Sequence, residues 1–209
     1  MRILLGTTNP SKVKRFSDLL KGYDVEFVTL KDLAITDEPE ENGTTPEENA
    51  IAKAKFYGQY FDVVICNDSG LYFEELALND VRQPGLNVRT PMQMDRLSDE
   101  EMIDYYSKLI DTLGGKVSAY YLDGIAVYYH GTIYSFMDAD EAKKTGSFYM
   151  IGKVSSKRFE GWPLDSLSIN KETGKYFVDG SMEESKENII KDDYEKSIVD
   201  FLKKSLHIE

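Results

Sequence analysis

Acidic side chains stand at two places in the first third of the chain where neither a helix nor a strand needs them. Glu40 and Glu41 precede a helix start at Thr45-Pro46, where threonine can cap the helix and proline suits its first position. Asp68 follows the apolar run from Val63 to Cys66, which we expect to be a buried strand ending at Asp68. Carboxylates from a loop and from a strand end can converge on one cation. The pattern therefore predicts a divalent metal site.

Both carboxylates also have an ordinary structural interpretation. An acidic loop residue such as Glu41 is commonly a solvated surface group, and Asp68 before Ser69-Gly70 could form an Asx turn. Beside a metal, Asp68 would instead be the general base that takes a proton from an attacking water. Mg²⁺ would need few protein ligands, because it prefers oxygen and keeps several of its waters.

Two lysines accompany these carboxylates. Lys12 lies in the first turn of a predicted helix that Asn9 caps, and the N–H groups at such a helix start suit a phosphate. Lys53 lies at helical spacing between Asn49 and Tyr57, beside the predicted buried face of the second helix. Thr7 and Asn9 would add neutral donors, although a cap alone also explains Asn9. The alternative for both lysines is an ordinary surface position.

The elements that position these groups are those of an α/β protein. Strands over residues 2–6 and 25–30 flank a helix that reaches about Lys21, which predicts parallel pairing of the two strands. The loop after the first strand then lies at the carboxyl edge of the sheet, where open α/β sheets bind ligands. A second helix is predicted from Pro46 to about Gln59, with Ala50, Ala54, Tyr57 and Phe61 on its buried side.

The second half changes to period two. After a helix between the Ser98 capping box and Gly114-Gly115, residues 117–121, 125–129 and 132–136 alternate, and turns at Asp123-Gly124 and His130-Gly131 predict an antiparallel meander. Phe148 to Ile151 predicts another strand, and a final helix is predicted from about Asp192 to Leu206. No linker is evident, so we expect residues 1–209 to form one domain.

Composition narrows the function. The 209 residues carry a net charge of -12, which argues against a surface that coats DNA or RNA but leaves room for a small phosphorylated ligand. One cysteine allows no internal disulfide, as is typical of the reducing cytosol. We see neither a signal peptide nor an apolar run of membrane-spanning length, and we expect a cytoplasmic protein with no membrane partner.

Three segments in order resemble the inosine triphosphate pyrophosphatases, enzymes that remove deaminated purine nucleotides. They are residues 7–12, residues 40–53 and residues 67–71, with Pro84-Gly85 downstream at the expected distance. The resemblance implies an elongated, strongly curved mixed sheet flanked by helices, two lobes with a central cleft, and a homodimer. It also implies hydrolysis of triphosphates such as ITP, dITP and XTP to monophosphate and pyrophosphate, with Mg²⁺, or Mn²⁺ as the alternative, as the cofactor. Glu41 and Asp68 would be the metal ligands, and Asp68 would be catalytic.

The chain departs from the family where the base is read. The family's Gly-Phe-Gly-Tyr-Asp-Pro loop corresponds to residues 161–166, where Trp162 could stack on a base or lie in the core, and Asp165 could bind a base edge or hold the loop. The family's Ser-His-Arg falls on residues 190–192, Ile-Lys-Asp, although Lys186 matches the lysine upstream of it. The same reaction on a different base, and a nucleotide-binding relative without catalysis, therefore stay open.

An arginine is a further candidate for binding phosphate. Arg89, four residues after Gly85, could reach phosphate or be a surface arginine. The candidate substrate-binding residues are together Thr7, Asn9, Lys12, Lys53, Ser69, Arg89, Trp162, Asp165 and Lys186.

Overall fold

The computed structural model describes residues 1–159, 161–180 and 193–209. The strands in these ranges are β1 (Arg2–Leu5), β2 (Glu26–Thr29), β3 (Val63–Phe73), β4 (Lys116–Tyr129), β5 (Thr132–Phe136), β6 (Phe148–Ile151) and β7 (Ser168–Ile169). The helices are α1 (Pro10–Leu19), α2 (Pro46–Tyr57), α3 (Asp99–Thr112), α4 (Ala139–Gly146) and α5 (Asp193–Leu206). Within the described ranges, every helix is too short or too polar to cross a membrane.

All seven strands belong to one mixed sheet. The strand order is β2-β1-β3-β4-β6-β7, and β5 pairs with β4. β1 is parallel to β2 and β3, whereas β4 is antiparallel to β5 and β6, and β6 is antiparallel to β7. The predicted α/β class, the mixed sheet and the parallel start are confirmed.

The chain divides into two compact units. Of the described residues, the first unit holds 1–69, 122–139 and 193–209, and the second holds 70–121, 140–159 and 161–180. A core of the first unit joins α2 to the sheet through Leu4, Leu30, Ala50, Ala54, Tyr57, Val64, Cys66 and Ala126. The second unit packs α3 on its strands through residues that include Phe73, Tyr106, Ile110, Val117 and Met150. Burying one of the Val, Leu, Ile, Phe or Met side chains among them stabilises the fold by about 1.5–3 kcal/mol.

Helix starts follow the predicted caps. Asn9 accepts from the Ser11 N–H with Pro10 as the first helical residue, and Thr45 caps α2 in the same manner ahead of Pro46. The Ser98 capping box at the start of α3 is complete. These caps fix where α1 and α2 begin, and hence where Lys12 and Lys53 lie.

Two strands are longer than predicted. β3 continues through Asp68 to Phe73, so Asp68 lies within the strand and not at its end; beyond it, the Leu71 N–H donates to the Gly85 carbonyl at 3.0 Å. β4 is one continuous strand through Asp123-Gly124, so the turn predicted there was wrong. The other predicted turn is confirmed at His130-Gly131, between β4 and β5, where both residues have positive φ.

Candidate active site

A lysine of α2 joins the two predicted metal carboxylates. The Lys53 ammonium lies 2.9 Å from Glu41 Oε1 and 3.3 Å from Asp68 Oδ1. Burial would lower the pKa of Lys53, but the neighbouring carboxylates of Asp68 and Glu41 raise it above its ordinary value. Two acidic side chains 27 positions apart in sequence therefore share one cation within the first unit.

An asparagine that the sequence analysis did not single out connects the same groups. Asn49 is buried, and its side-chain amide donates to Asp68 Oδ2 at 2.9 Å. Its side-chain oxygen accepts from the Gly43 N–H at 2.8 Å, in the loop that carries Glu41. Asn49 thus fixes the Asp68 carboxylate against the acidic loop. The available signal was its position one helical turn before Lys53.

A second lysine, Lys12, contacts the residue that precedes Asp68. Its ammonium donates to the Asn67 carbonyl at 3.2 Å. Burial lowers the pKa of Lys12, with the attraction of Asp68 opposing that shift and the positive charge of Lys53 adding to it. Two ammonium groups are therefore held near one carboxylate, an arrangement that suits an anion with several charges.

Thr7 and Asn9 stand at the start of α1, with their oxygen atoms already used. Thr7 Oγ1 accepts from the Asn9 N–H at 3.1 Å, and Asn9 Oδ1 accepts from the Ser11 N–H at 2.9 Å. These bonds shape the turn between β1 and α1. The cap explanation of Asn9 is therefore correct for its oxygen, and its role toward substrate stays a prediction.

A buried aspartate of β4 completes the surroundings of Asp68. Asp123 accepts from the Ser69 hydroxyl at 2.7 Å, from the Asn67 side-chain amide at 3.1 Å, and from Arg15 Nη1 at 2.8 Å. Burial would raise the pKa of Asp123, but the Arg15 guanidinium and the two hydrogen bonds hold it below its ordinary value. Sequence reasoning assigned Asp123 to a turn and missed this contact with both neighbours of Asp68.

The donor set fits a magnesium ion. Because Glu41 Oε1 and Asp68 Oδ1 contact the same ammonium, they are at most about 6.2 Å apart, the sum of the two contact distances. Oxygen ligands of octahedral Mg²⁺ lie about 3 to 4 Å from one another. The Glu41 side chain is 45% exposed, so packing restricts its rotation less than it restricts that of a buried side chain. The described residues contain no cluster of three or more His, Cys, Asp or Glu placed to hold a metal, so any ion here would keep waters or phosphate oxygens as ligands.

The remaining candidates belong to the second unit or lie outside the described residues. Arg89 belongs to the second unit, where it pairs with Asp99 at 2.8 Å and donates to a backbone carbonyl. Trp162 is 50% exposed in that unit, which excludes a core position. Asp165 lies in the short 3-10 helix Pro163–Ser166 that follows Trp162, and burial raises its pKa to about 6. Lys186 and residues 190–192 lie outside the described residues.

Sequence comparison agrees with the first-half motifs. A family model described as the Ham1 family matches residues 3–148. The chain belongs to the Ham1 family. The match contains the whole Glu41, Lys53 and Asp68 arrangement and stops before Trp162 and Asp165. The family predicted from the three motifs is thereby confirmed, on the residues that carried the prediction.

Proteins similar to this chain resemble it to different extents. A dITP/XTP pyrophosphatase of Mannheimia succiniciproducens is 30% identical over 185 residues, which cover 85% of this chain and 86% of that protein. A dITP/XTP pyrophosphatase of Caldanaerobacter subterraneus is 42% identical over 88 residues, which span 41% of this chain and only 42% of the relative's own length. A solved Ham1 protein from Coxiella burnetii shares the fold, with a TM-score of 0.73 and 21% identity over 99% of this chain and 98% of that one.

Proposed function

We propose that this protein is a Mg²⁺-dependent pyrophosphatase that hydrolyses non-standard purine triphosphates, such as ITP, dITP and XTP, to the monophosphate and pyrophosphate. One observation carries the proposal: Lys53 contacts both Glu41 and Asp68, while Lys12 is held beside them. The names of the two relatives support the substrate class.

The side chains divide the work by charge. Lys12 and Lys53 bind the polyphosphate, because two partly buried ammonium groups offset its negative charge better than exposed ones would. Asp68 accepts a proton from the attacking water, and Asn49 orients its carboxylate through the bond to Oδ2. Glu41 and Asp68 would hold a Mg²⁺ ion, and when bound it supplies positive charge to phosphate oxygens.

The proposed reaction is a single displacement at the α-phosphorus. The water oxygen forms a bond to that phosphorus while its proton passes to Asp68. The bond from the α-phosphorus to the bridging oxygen breaks, and pyrophosphate leaves with the bonding electron pair. The new oxygen therefore remains in the monophosphate, a consequence that isotopic labelling can test.

The decisive experiment is hydrolysis in ¹⁸O-enriched water. The purified protein with MgCl₂ is incubated with ITP, dITP, XTP and the standard triphosphates, and products are resolved by chromatography and mass spectrometry. We expect monophosphate that carries ¹⁸O, unlabelled pyrophosphate, and a loss of kcat of about 10²–10⁴-fold in Asp68→Asn. Diphosphate and free phosphate as products, or no product from any triphosphate, would refute the proposal.

The departures in the base-reading segments motivate a second candidate, the same reaction with another base preference. Trp162 and Asp165 lie beyond the residues that the family model matches. Comparable kcat/KM for all bases, or a preference for pyrimidines, would favour this candidate. Nucleotide binding without hydrolysis, unchanged in Asp68→Asn, would instead indicate a relative that does not catalyse.

A further inference from the structure

The Asp123 carboxylate is buried in the first unit directly beside the proposed general base. Only 6% of the residue is exposed, although nothing in a β-strand requires a charge at that position. Burying a charge is costly unless hydrogen bonds and an opposite charge compensate it. The partners that compensate Asp123 therefore indicate what the charge is used for.

Those partners are Arg15 and the two residues that precede and follow Asp68. Asp123 Oδ1 accepts from the Ser69 hydroxyl at 2.7 Å and from Asn67 Nδ2 at 3.1 Å, while Oδ2 accepts from Arg15 Nη1 at 2.8 Å. Because one oxygen accepts from Ser69 and Asn67 and the other accepts from Arg15, the carboxylate connects the Arg15 guanidinium to the strand segment that carries Asp68.

Asn67 also links Asp123 to a proposed phosphate-binding lysine. The Asn67 carbonyl accepts from the Lys12 ammonium, so any movement of Asn67 would move the anchor of that lysine. The Ser69 hydroxyl donates to Asp123 Oδ1 at 2.7 Å, and the Asn67 side-chain oxygen is a more distant acceptor for it at 3.3 Å. The Asn67 amide also donates to the Gly124 carbonyl at 3.1 Å, next along β4.

Gly124, the residue after Asp123, lies against the start of α2. A Cβ atom at this position would lie 2.1 Å from the carbonyl carbon of Pro46 and from the Glu47 nitrogen, so β4 touches the backbone of α2 at its first turn. Gly124 therefore packs against the start of the helix that carries Asn49 and Lys53.

We propose that Asp123 is a positioning residue for the proposed hydrolysis, acting through Asn67 and Ser69 to hold Asp68 and the Lys12 anchor in place. The competing explanation is that Asp123 serves only as a counter-ion for Arg15. Glu195 allows the two to be separated, because its Oε1 also pairs with Arg15, at 2.7 Å from Nη2. In the described contacts of Glu195, neither Asn67 nor Ser69 takes part.

The test compares two isosteric substitutions on the same guanidinium, Asp123→Asn and its matched control Glu195→Gln. Each removes one carboxylate charge from Arg15. Only the first changes the group that faces the Asn67 amide and the Ser69 hydroxyl, because an asparagine has one acceptor oxygen where Asp123 has two, and its NH2 must face either those donors or Arg15. We expect kcat for triphosphate hydrolysis to fall about 10- to 100-fold in Asp123→Asn, the range of one hydrogen bond to a charged group, with KM within about threefold of wild type. Glu195→Gln is expected to keep kcat within about threefold.

A second measurement needs no substrate. Amide hydrogen exchange followed by NMR should speed up at residues 67–70 in Asp123→Asn, by at least tenfold beyond any uniform change across the first unit. Glu195→Gln should show no such local increase. If Asp123→Asn fails to fold, Ser69→Ala removes one donor to the same oxygen and leaves the Arg15 pair intact. It should raise exchange at residues 67–70 in the same way.

The outcomes separate this inference from the proposed function on which it rests. Equal losses of kcat in Asp123→Asn and Glu195→Gln, or exchange at residues 67–70 that stays at the wild-type rate, would overturn the positioning role. A wild-type protein without hydrolysis would refute the proposed function, while the exchange comparison would still decide whether Asp123 holds the strand segment.

Discussion

The contact of Lys53 with two carboxylates predicts a specific effect of removing its charge. In Lys53→Met, a side chain of similar length stays on α2 while Glu41 and Asp68 lose their common cation. The two carboxylates then repel each other with only the more distant Lys12 ammonium to offset their charge, so we expect the free energy of unfolding to fall. The same repulsion should make the variant more responsive than wild type to added divalent cations.

The magnitude follows from the separation of the carboxylates. At about 6.2 Å, the limit set by the two contact distances, Coulomb's law gives about 3 kcal/mol of repulsion at an effective dielectric constant of about 20 and about 0.7 kcal/mol in water. The Glu41 side chain is 45% exposed and can turn toward solvent, whereas Asp68 is 14% exposed. We therefore expect a loss of about 1–2 kcal/mol at low ionic strength.

The assay is urea unfolding of the metal-free protein at low and high NaCl, followed by a repeat with MgCl₂. Lys55→Met is the control, because it removes the same charge from an exposed position of α2. Adding Glu41→Gln to Lys53→Met should recover most of the loss, since only one charge then remains. A Lys53→Met protein as stable as wild type at low salt, or no recovery in the double variant, would refute the reasoning.

Three further predictions concern substitutions of Gly124, Asp165 and Asn49. Gly124→Ala places a Cβ 2.1 Å from the Pro46 backbone, so urea unfolding should show a loss of about 1–3 kcal/mol or more; wild-type stability would contradict the contact. Burial raises the pKa of Asp165 from 3.8 to about 6, so the folded state binds this proton more tightly than the unfolded state, and the free energy of unfolding falls as the pH rises between these two values. Asp165→Asn should therefore gain up to about 3 kcal/mol in free energy of unfolding at pH 7 and little at pH 3.5. An equal gain at both pH values would contradict a buried carboxylate at this position. Asn49→Ala leaves Asp68 Oδ2 without its amide donor, so kcat should fall about tenfold while KM changes less, and an unchanged kcat would remove Asn49 from the site.

Much of the architecture was predictable because local signals and tertiary contacts agree. At Asn9-Pro10, Thr45-Pro46 and Ser98 the capping residues stand next to amphipathic runs, and the helices begin there. The β1-α1-β2 unit was predictable for the same reason, since alternation and helical periodicity follow each other within 30 residues. Such signals depend on neighbours in sequence and need no knowledge of the fold.

The strand through Asp123-Gly124 was not predictable in this way. Aspartate followed by glycine between alternating runs is a strong turn signal, because both residues tolerate turn conformations. Here the aspartate is stabilised by Arg15, from a segment 108 residues earlier, and the glycine is required by the closeness of Pro46. Long-range partners override the local preference, and neither partner can be identified from the spacing around residues 123–124.

The wrong boundary of β3 has the same origin as the wrong turn. The apolar run ends at Cys66 and polar residues follow, which predicts a strand end, yet Asn67 is buried because Asp123 accepts from its amide. The polar residues on β3 and β4 satisfy one another, so both strands continue where hydropathy indicates that they stop. A prediction from hydropathy treats polar residues as exposed to water. Polar residues can instead be buried where they hydrogen-bond to one another, as they do here. Both wrong strand boundaries therefore fall at Asp68, one on β3, which carries it, and one on the neighbouring β4, and Asp68 is the position that the motifs had already selected for chemistry.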